Sequence, residues 1–233
     1  MNRSLLFTAF FALSATLSGT AAAHDPDTQS HGQGISKVNG SITAEAGQRY
    51  GDLRTVNGSI RLEAGAQVQD ANTVNGSIRA DSDIQSRSLG TVNGSIHMGE
   101  RARIDGSIET VNGGIFIDRG SKVSRGIETV NGAIGMVNTD LGDGIETVNG
   151  DITVGVGSRV KGGIHVEKPS KGWSGFRKGS QKIPRIVIGP NSVVEGPLVF
   201  ERDVKLYVHS SARIGSLRGA TAVRFDGAAP PKD

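Results

Sequence analysis

The sequence predicts an all-β protein built as a single-stranded parallel β-helix, a solenoid with about 18 residues per coil. The tripeptide Val-Asn-Gly recurs seven times at spacings of 18 or 19 residues, and such regularity is typical of repeat architectures. Apolar and polar residues alternate around each copy, as they do in a half-buried strand. The composition of 34 Gly but only 7 Phe, 2 Tyr and 1 Trp favours thin stacked layers over a core built on aromatic residues.

The first 23 residues are interpreted as a signal peptide. Arg3 supplies the positive n-region, Leu5–Leu17 the apolar h-region and Ala21–Ala23 the small-residue cleavage site. The apolar run is short for a bilayer span, and no later segment is more apolar. We therefore expect a mature protein that starts at His24, has no transmembrane segment and is located in the periplasm, at the cell surface or outside the cell. The absence of Cys excludes a disulfide framework.

Each repeat contributes three apolar positions, which predict about three short strands per coil. A second apolar position follows about 12 residues after each motif Val, as at Val68, and a third follows 15 or 16 residues after it, as at Ala71. Coils stacked about 4.8 Å apart would bury these positions against one another. In the copy around Val56, the alternation predicts an inward rank of Val56, Gly58, Ile60 and Leu62 and an outward rank of Thr55, Asn57, Ser59 and Arg61.

Asn-Gly is also the strongest two-residue hairpin signal, so an antiparallel meander is the competing interpretation. A meander needs a second, equally regular turn in the middle of each repeat. That region varies, from Gly65-Ala66-Gln67 in one copy to Asp81-Ser82-Asp83 in another, which favours the parallel solenoid. The pattern leaves open whether Asn-Gly lies in a flat strand or at a corner, where the Asn side chains would stack inward as a ladder.

The predicted solenoid runs from residue 35 to residue 225 and has roughly nine coils. It is preceded by a disordered mature N-terminus at 24–34 and followed by a disordered tail at 226–233. A loop at 167–184, rich in Lys, Gly and Ser, interrupts it.

The iterated Val-Asn-Gly-Ser-Ile motif between Val38 and Val166 resembles a bacterial envelope family named as adhesins, a domain of unknown function. The stretch from Arg185 to Leu217 is similar in texture to bactofilins, which are polymer-forming β-helical scaffold proteins of the cytoplasm. Neither family supplies catalytic residues. The resemblance implies a non-enzymatic exported protein of the cell envelope, an adhesin or a structural scaffold that presents a repetitive surface.

No catalytic, cofactor or metal site is predicted. Glu109, Glu128 and Glu146 recur in Ile-Glu-Thr-Val-Asn-Gly blocks and are interpreted as a solvated row of like charges, with a weak cation site as the alternative. His165 or His209 would suit a β-helix acyltransferase, but no second residue at a useful spacing supports that role. A carbohydrate-active enzyme or acyltransferase is therefore kept as the alternative to a non-enzymatic function.

Two surfaces are candidates for partner binding. A flat polar face is predicted for the Thr and Asn of six repeats, with a glycan or an envelope surface as its partner: Thr55, Asn57, Thr73, Asn75, Thr91, Asn93, Thr110, Asn112, Thr129, Asn131, Thr147 and Asn149.

The second candidate is the basic, aromatic part of the loop, formed by Lys171, Trp173, Phe176, Arg177 and Lys178. Such residues suit anionic lipid headgroups or acidic glycans and suggest a membrane-associated envelope regulator. Unpaired strands at the solenoid ends predict a further partner, a second copy bound end to end. Nucleic acid is not expected for an exported protein.

Overall fold

The computed structural model describes residues 32–169 and 182–231 and is a parallel β-solenoid, as the repeat predicts. The described residues contain strands, turns and bends but no helix. Equivalent strands of successive coils pair in parallel, mostly 18 or 19 residues apart. The ten-stranded sheet gives about ten coils, one more than the sequence predicts.

Twenty-six strands make up the described part of the chain. In chain order they are β1 Ile35–Asn39, β2 Ile42–Ala44, β3 Leu53–Asn57, β4 Ile60–Leu62, β5 Gln67–Asn75, β6 Ile78–Ala80, β7 Gln85–Asn93, β8 Ile96–Met98, β9 Arg103–Ile104, β10 Ile108–Asn112, β11 Ile115–Ile117, β12 Lys122–Val123, β13 Ile127–Asn131, β14 Ile134–Met136, β15 Asp140–Leu141, β16 Ile145–Thr147, β17 Ile152–Val154, β18 Arg159–Val160, β19 Ile164–Val166, β20 Arg185–Ile188, β21 Val193–Val194, β22 Leu198–Phe200, β23 Lys205–His209, β24 Arg213–Ile214, β25 Leu217–Arg218 and β26 Ala222–Phe225.

The strands form three faces. The first face holds the strands that lead into the Asn-Gly corner, such as β3, β10 and β16, and the second face holds those that follow the corner, such as β4 and β11. The third face holds short strands such as β9 and β12. The long strands β5 and β7 run from the third face into the first, which joins these two faces into one 16-stranded sheet.

The core lies between the three faces and is made of stacked ranks of side chains. Each second-face strand buries its first and third residues, as at Ile60 and Leu62. The third face contributes one rank, as at Val68 and Ile104, and the first face another, as at Leu53 and Ala71. The three apolar positions per repeat that the sequence predicts are therefore the three main sources of the core.

One predicted rank is wrong. The first-face threonines are buried, with 1–2 % of their surface exposed, whereas the motif valines are half-buried outside and Val38 is 59 % exposed. Alternation holds within β3, where Leu53 and Thr55 point inward, and within β4, where Ile60 and Leu62 do. The corner between them separates the inward residues Thr55 and Ile60 by five positions, so the alternation changes phase there. The repeated threonines, Thr55, Thr73, Thr91, Thr110, Thr129 and Thr147, are core residues and do not share an exposed face with the asparagines.

The motif Gly is required because successive corners approach closely. A Cβ atom at Gly94 would overlap the carbonyl oxygen of Gly76 in the preceding coil, and a Cβ atom at Gly76 would overlap that of Gly58. Neither Gly76 nor Gly94 has a positive φ, so the constraint at these corners is space and not backbone conformation. The same overlap exists at Gly58, Gly113, Gly132 and Gly150.

A second regular corner follows the second face, in the part of the repeat whose sequence varies. One residue there has a left-handed backbone in eight coils, at Gly47, Gly65, Asp83, Arg101, Gly120, Asn138, Gly157 and Asn191. Gly and Asn adopt this conformation readily, but Arg does so rarely. The side chain of Arg101 donates two hydrogen bonds to the Asp83 carboxylate, at 2.8 and 2.7 Å, and so connects two such corners.

Replacing Gly94 by Ala should destabilise the solenoid by about 3 kcal/mol or more, at the upper end of overpacking costs, because its Cβ atom meets backbone that cannot move away. Gly135→Ala is the matched control. Its Cβ atom would meet only the Phe116 ring, at 3.4 Å, so its stability should stay within about 1 kcal/mol of the parent. Urea unfolding followed by circular dichroism measures both, and equal losses would contradict the close approach of the corners.

Candidate functional site

The motif asparagines form a ladder of side-chain amides along the Asn-Gly corner. Each Nδ2 donates to the Oδ1 of the Asn one coil earlier, at 2.9–3.0 Å, from Asn57 to Asn39 through Asn149 to Asn131. The side chains lie on the outside and are exposed, except that of Asn131, which is half-buried. The Asn half of the predicted polar face is therefore exposed and regular, and its ladder lies on the outside of the solenoid.

The threonine hydroxyls bind the same corners from the inside. Thr73 Oγ1 donates to the Gly58 carbonyl oxygen at 2.7 Å, and the equivalent bonds of Thr55, Thr91, Thr110 and Thr129 measure 2.8–3.4 Å. Because a buried hydroxyl needs a partner, this bond explains why a polar residue stands in the core rank. It also fixes the position of each corner relative to the next.

The motif serines complete the set of contacts. The Ser59 backbone N–H donates to Ser41 Oγ at 3.2 Å, and Ser77 repeats the bond to Ser59 at 3.3 Å. Ser95 does the same to Ser77 at 3.2 Å. In the early coils, Thr, Asn, Gly and Ser of the motif are all engaged in stacking one corner on another.

The corner changes at the seventh motif copy. Thr147 Oγ1 is buried without a hydrogen-bond partner among the described residues, and the Asn149 N–H donates to Val130 instead of continuing the earlier pattern. Arg202, two coils further on, donates from Nη1 to the Val148 carbonyl oxygen at 2.9 Å and to Asn149 Oδ1. The guanidinium of Arg202 thus ends the amide ladder.

Three glutamates lie side by side on the outside of the first face. Glu109 pairs with Glu128, and Glu128 with Glu146, across neighbouring strands. Partial burial raises the pKa of Glu128 to about 7, and the nearby carboxylates of Glu109, Glu146, Glu167 and Asp143 raise it further in that order. The row exists as the repeat predicts, but its middle member is half-buried rather than freely solvated.

The row continues into a cluster that the sequence did not predict. His165 is the next residue in register after Glu146, and Glu167 follows it by two positions. One ligand atom from each of these three residues lies within 4.8 Å of the others. Glu201 Oε1 lies 3.2 Å from His165 Nε2, so a third carboxylate contacts the imidazole.

This cluster is electrostatically unbalanced. Burial raises the pKa of Glu167, and the carboxylates of Glu146 and Glu201 raise it further, while His165 lowers it. The pKa of Glu201 is lowered, first by the Lys168 backbone N–H and then by His165. Sequence reasoning treated the histidine and the glutamates separately; the signal that joins them is the 19-residue step from Glu146 to His165, which equals the repeat.

The basic loop residues Lys171, Trp173, Phe176, Arg177 and Lys178 lie outside the described residues, as do the signal-peptide residues. Their predicted roles stay predictions. The other histidine considered for catalysis, His209, accepts or donates at Nδ1 to its neighbour Ser211 Oγ at 2.8 Å, and its ring stacks edge-on against Phe225.

Comparison with known proteins found no match: no protein-family model, no curated protein and no solved structure is similar to this chain. The resemblances to adhesins and to bactofilins therefore also stay predictions. Over residues 32–169 and 182–231, no helix is long and apolar enough to cross a membrane.

Replacing Thr73 by Val should cost about 1–3 kcal/mol, because the Gly58 carbonyl loses its hydroxyl donor. Thr147→Val is the matched control at the same rank. Its hydroxyl has no partner, so its removal should leave the stability unchanged or raise it. Chemical unfolding of both variants distinguishes the two sites. A Thr147 variant as unstable as the Thr73 variant would mean that the hydroxyl bonds do not stabilise the corner.

Stability should fall as the pH rises from about 4.5 to about 7, because of Glu128. Its pKa in the folded state, about 7, lies above the ordinary value of 4.5, so the folded protein holds a proton that the unfolded chain has lost. Glu128→Gln should therefore match the parent near pH 4.5 and exceed its melting temperature at pH 8. Thermal melts across this range, in a metal chelator, test it. An unchanged difference between the two proteins at all pH values would contradict the raised pKa.

Proposed function

We propose that this chain is a non-enzymatic, exported protein of the bacterial cell envelope that presents a repetitive lateral surface for adhesion or scaffolding. One observation carries the proposal: the recurring Thr, Asn, Gly and Ser of the motif contact the neighbouring coil. Residues used for stacking build a regular surface and not a reaction centre. The predicted signal peptide supports export, and the adhesin resemblance supports a role in the envelope.

The amide ladder is the part of this surface best suited to a repeating polar partner. An Asn amide has two N–H donors and a carbonyl with two lone pairs, and the ladder uses one donor and one lone pair of each interior member. One donor and one acceptor per coil therefore remain directed outward. Repeated every 4.8 Å or so, weak contacts of this kind add up by avidity, as adhesion to a glycan requires.

Charged residues in the terminal coils favour the lateral surface over an end-to-end partner. Lys37 stands in register with the buried Thr55, and Arg224 stands in register with the buried Val208. A further coil stacked on either end would bury one of these charges, which is costly, and inward-pointing charges are a known protection of strand edges. End-to-end pairing is therefore not part of this proposal.

Purified bacterial envelope polysaccharide, tested as peptidoglycan sacculi in a sedimentation assay, examines the proposal directly. The parent protein should sediment with the sacculi. Replacing Asn75, Asn93 and Asn112 by Ala should reduce the bound fraction at least about tenfold, since avidity is lost over three coils. The matched control carries three Ala replacements on the outside of the second face, at Arg61, Arg79 and His97, and should bind as the parent does. Circular dichroism and melting temperature verify that both variants fold.

Several outcomes would reject the proposal. Failure of the parent to bind sacculi, outer-membrane vesicles or isolated envelope glycans would remove the adhesive role. Equal loss in both triple variants would show that charge, and not the ladder, binds. Turnover of a glycan or acyl donor that is lost in His165→Ala would replace the proposal with the β-helix enzyme, for which the cluster of Glu146, His165 and Glu167 is the supporting observation.

A further inference from the structure

The cluster of Glu146, His165 and Glu167 lies where two neighbouring strands of the first face present adjacent outward positions. Parallel pairing of β16 with β19 aligns Glu146 with His165, and alternation along the chain places Glu167 on the same side as His165. His165 and Glu167 are half-buried and Glu146 is exposed. We propose that these three residues form a binding site for one divalent transition-metal ion, a function independent of the envelope-binding role.

The distances suit a small ion. Three ligand atoms that all lie within 4.8 Å of one another share a central point no more than about 2.8 Å from each. Zinc binds imidazole nitrogen and carboxylate oxygen at about 2.0–2.2 Å. Side-chain movements of less than about 1 Å would therefore bring all three atoms to zinc distance, without any change in the backbone.

The charges favour a cation at this point. The groups that shift the pKa of Glu167 are the carboxylates of Glu146 and Glu201 and the imidazole of His165; Lys and Arg are not among them. Further along the row, Glu128 has neighbouring carboxylates as its charged influences. A bound cation would compensate this accumulation of negative charge, which the described side chains around Glu167 do not.

The ligand set selects the class of ion. One imidazole with two carboxylates suits Zn²⁺ and related transition metals, whereas Ca²⁺ and Mg²⁺ prefer oxygen ligands alone. Glu201 Oε1, at 3.2 Å from His165 Nε2, holds the imidazole in place, as carboxylates commonly do for metal-binding histidines. Three protein ligands also leave a position on the ion for water or for a group of a partner.

Isothermal titration of the full chain with zinc chloride and, separately, with calcium chloride tests the site at neutral pH. We expect one Zn²⁺ per chain and at least tenfold weaker binding of Ca²⁺. Glu146→Gln, Glu167→Gln and His165→Ala should each weaken Zn²⁺ binding at least about tenfold. Glu109→Gln, on the same row but outside the cluster, is the matched control and should bind as the parent does. Zn²⁺ should also raise the melting temperature of the parent and of the control.

Each contrary result overturns the proposal. No binding of Zn²⁺ by the parent would do so. Binding that survives all three cluster variants would place the ion elsewhere, for example on His24 and His31 of the sequence. Binding that falls equally in Glu109→Gln would indicate general attraction to the acidic row. Metal-free melts of every variant separate loss of the site from loss of the fold, and none of these results depends on binding to envelope polysaccharide.

Discussion

The stacking of one Asn-Gly corner on the next is the constraint on which the solenoid depends. The carbonyl oxygen of Gly76 occupies the space that a Cβ atom of Gly94 would need, so only Gly can follow the ladder residue at that distance. The hydroxyl of Thr91 then binds the same carbonyl oxygen, at 2.8 Å. A coil displaced along the chain by one residue would lose both the space and the hydrogen bond, and the register between coils is fixed in this way.

The corner also decides which residues face the core. It separates inward Thr55 from inward Ile60 by an odd number of positions, and this explains why Thr and not Val lies inside. The apolar ranks on either side, represented by Leu53 and Leu62, are long enough to bury continuous apolar surface from coil to coil. Burial supplies most of the driving force, while the polar contacts at the corner select one register among many.

The repeat, the parallel solenoid and the three apolar positions could be predicted from the sequence, because a period of 18 residues and a period of 2 are both visible there. The inward direction of Thr55 could not, because alternation carries no information about where a chain bends. The second corner was hidden for a different reason. Its requirement is a left-handed backbone, which Gly65, Asp83 and Arg101 all satisfy, so the conformation repeats while the sequence does not.

The acid–histidine cluster lies where the motif ends, and the pattern of outward residues explains why. In coils that carry the motif, the outward position two residues after the Glu row is the half-buried Val, as at Val130 beside Glu128. That Val cannot bind an ion. In the coil of His165 the motif is absent, and Glu167 takes the Val position. Departures from a repeat that otherwise serves stacking are where a separate function is expected. The described chain therefore divides its outer surface: regular amides where the corners stack by the motif, and convergent ligand atoms in the first coil that no longer needs it.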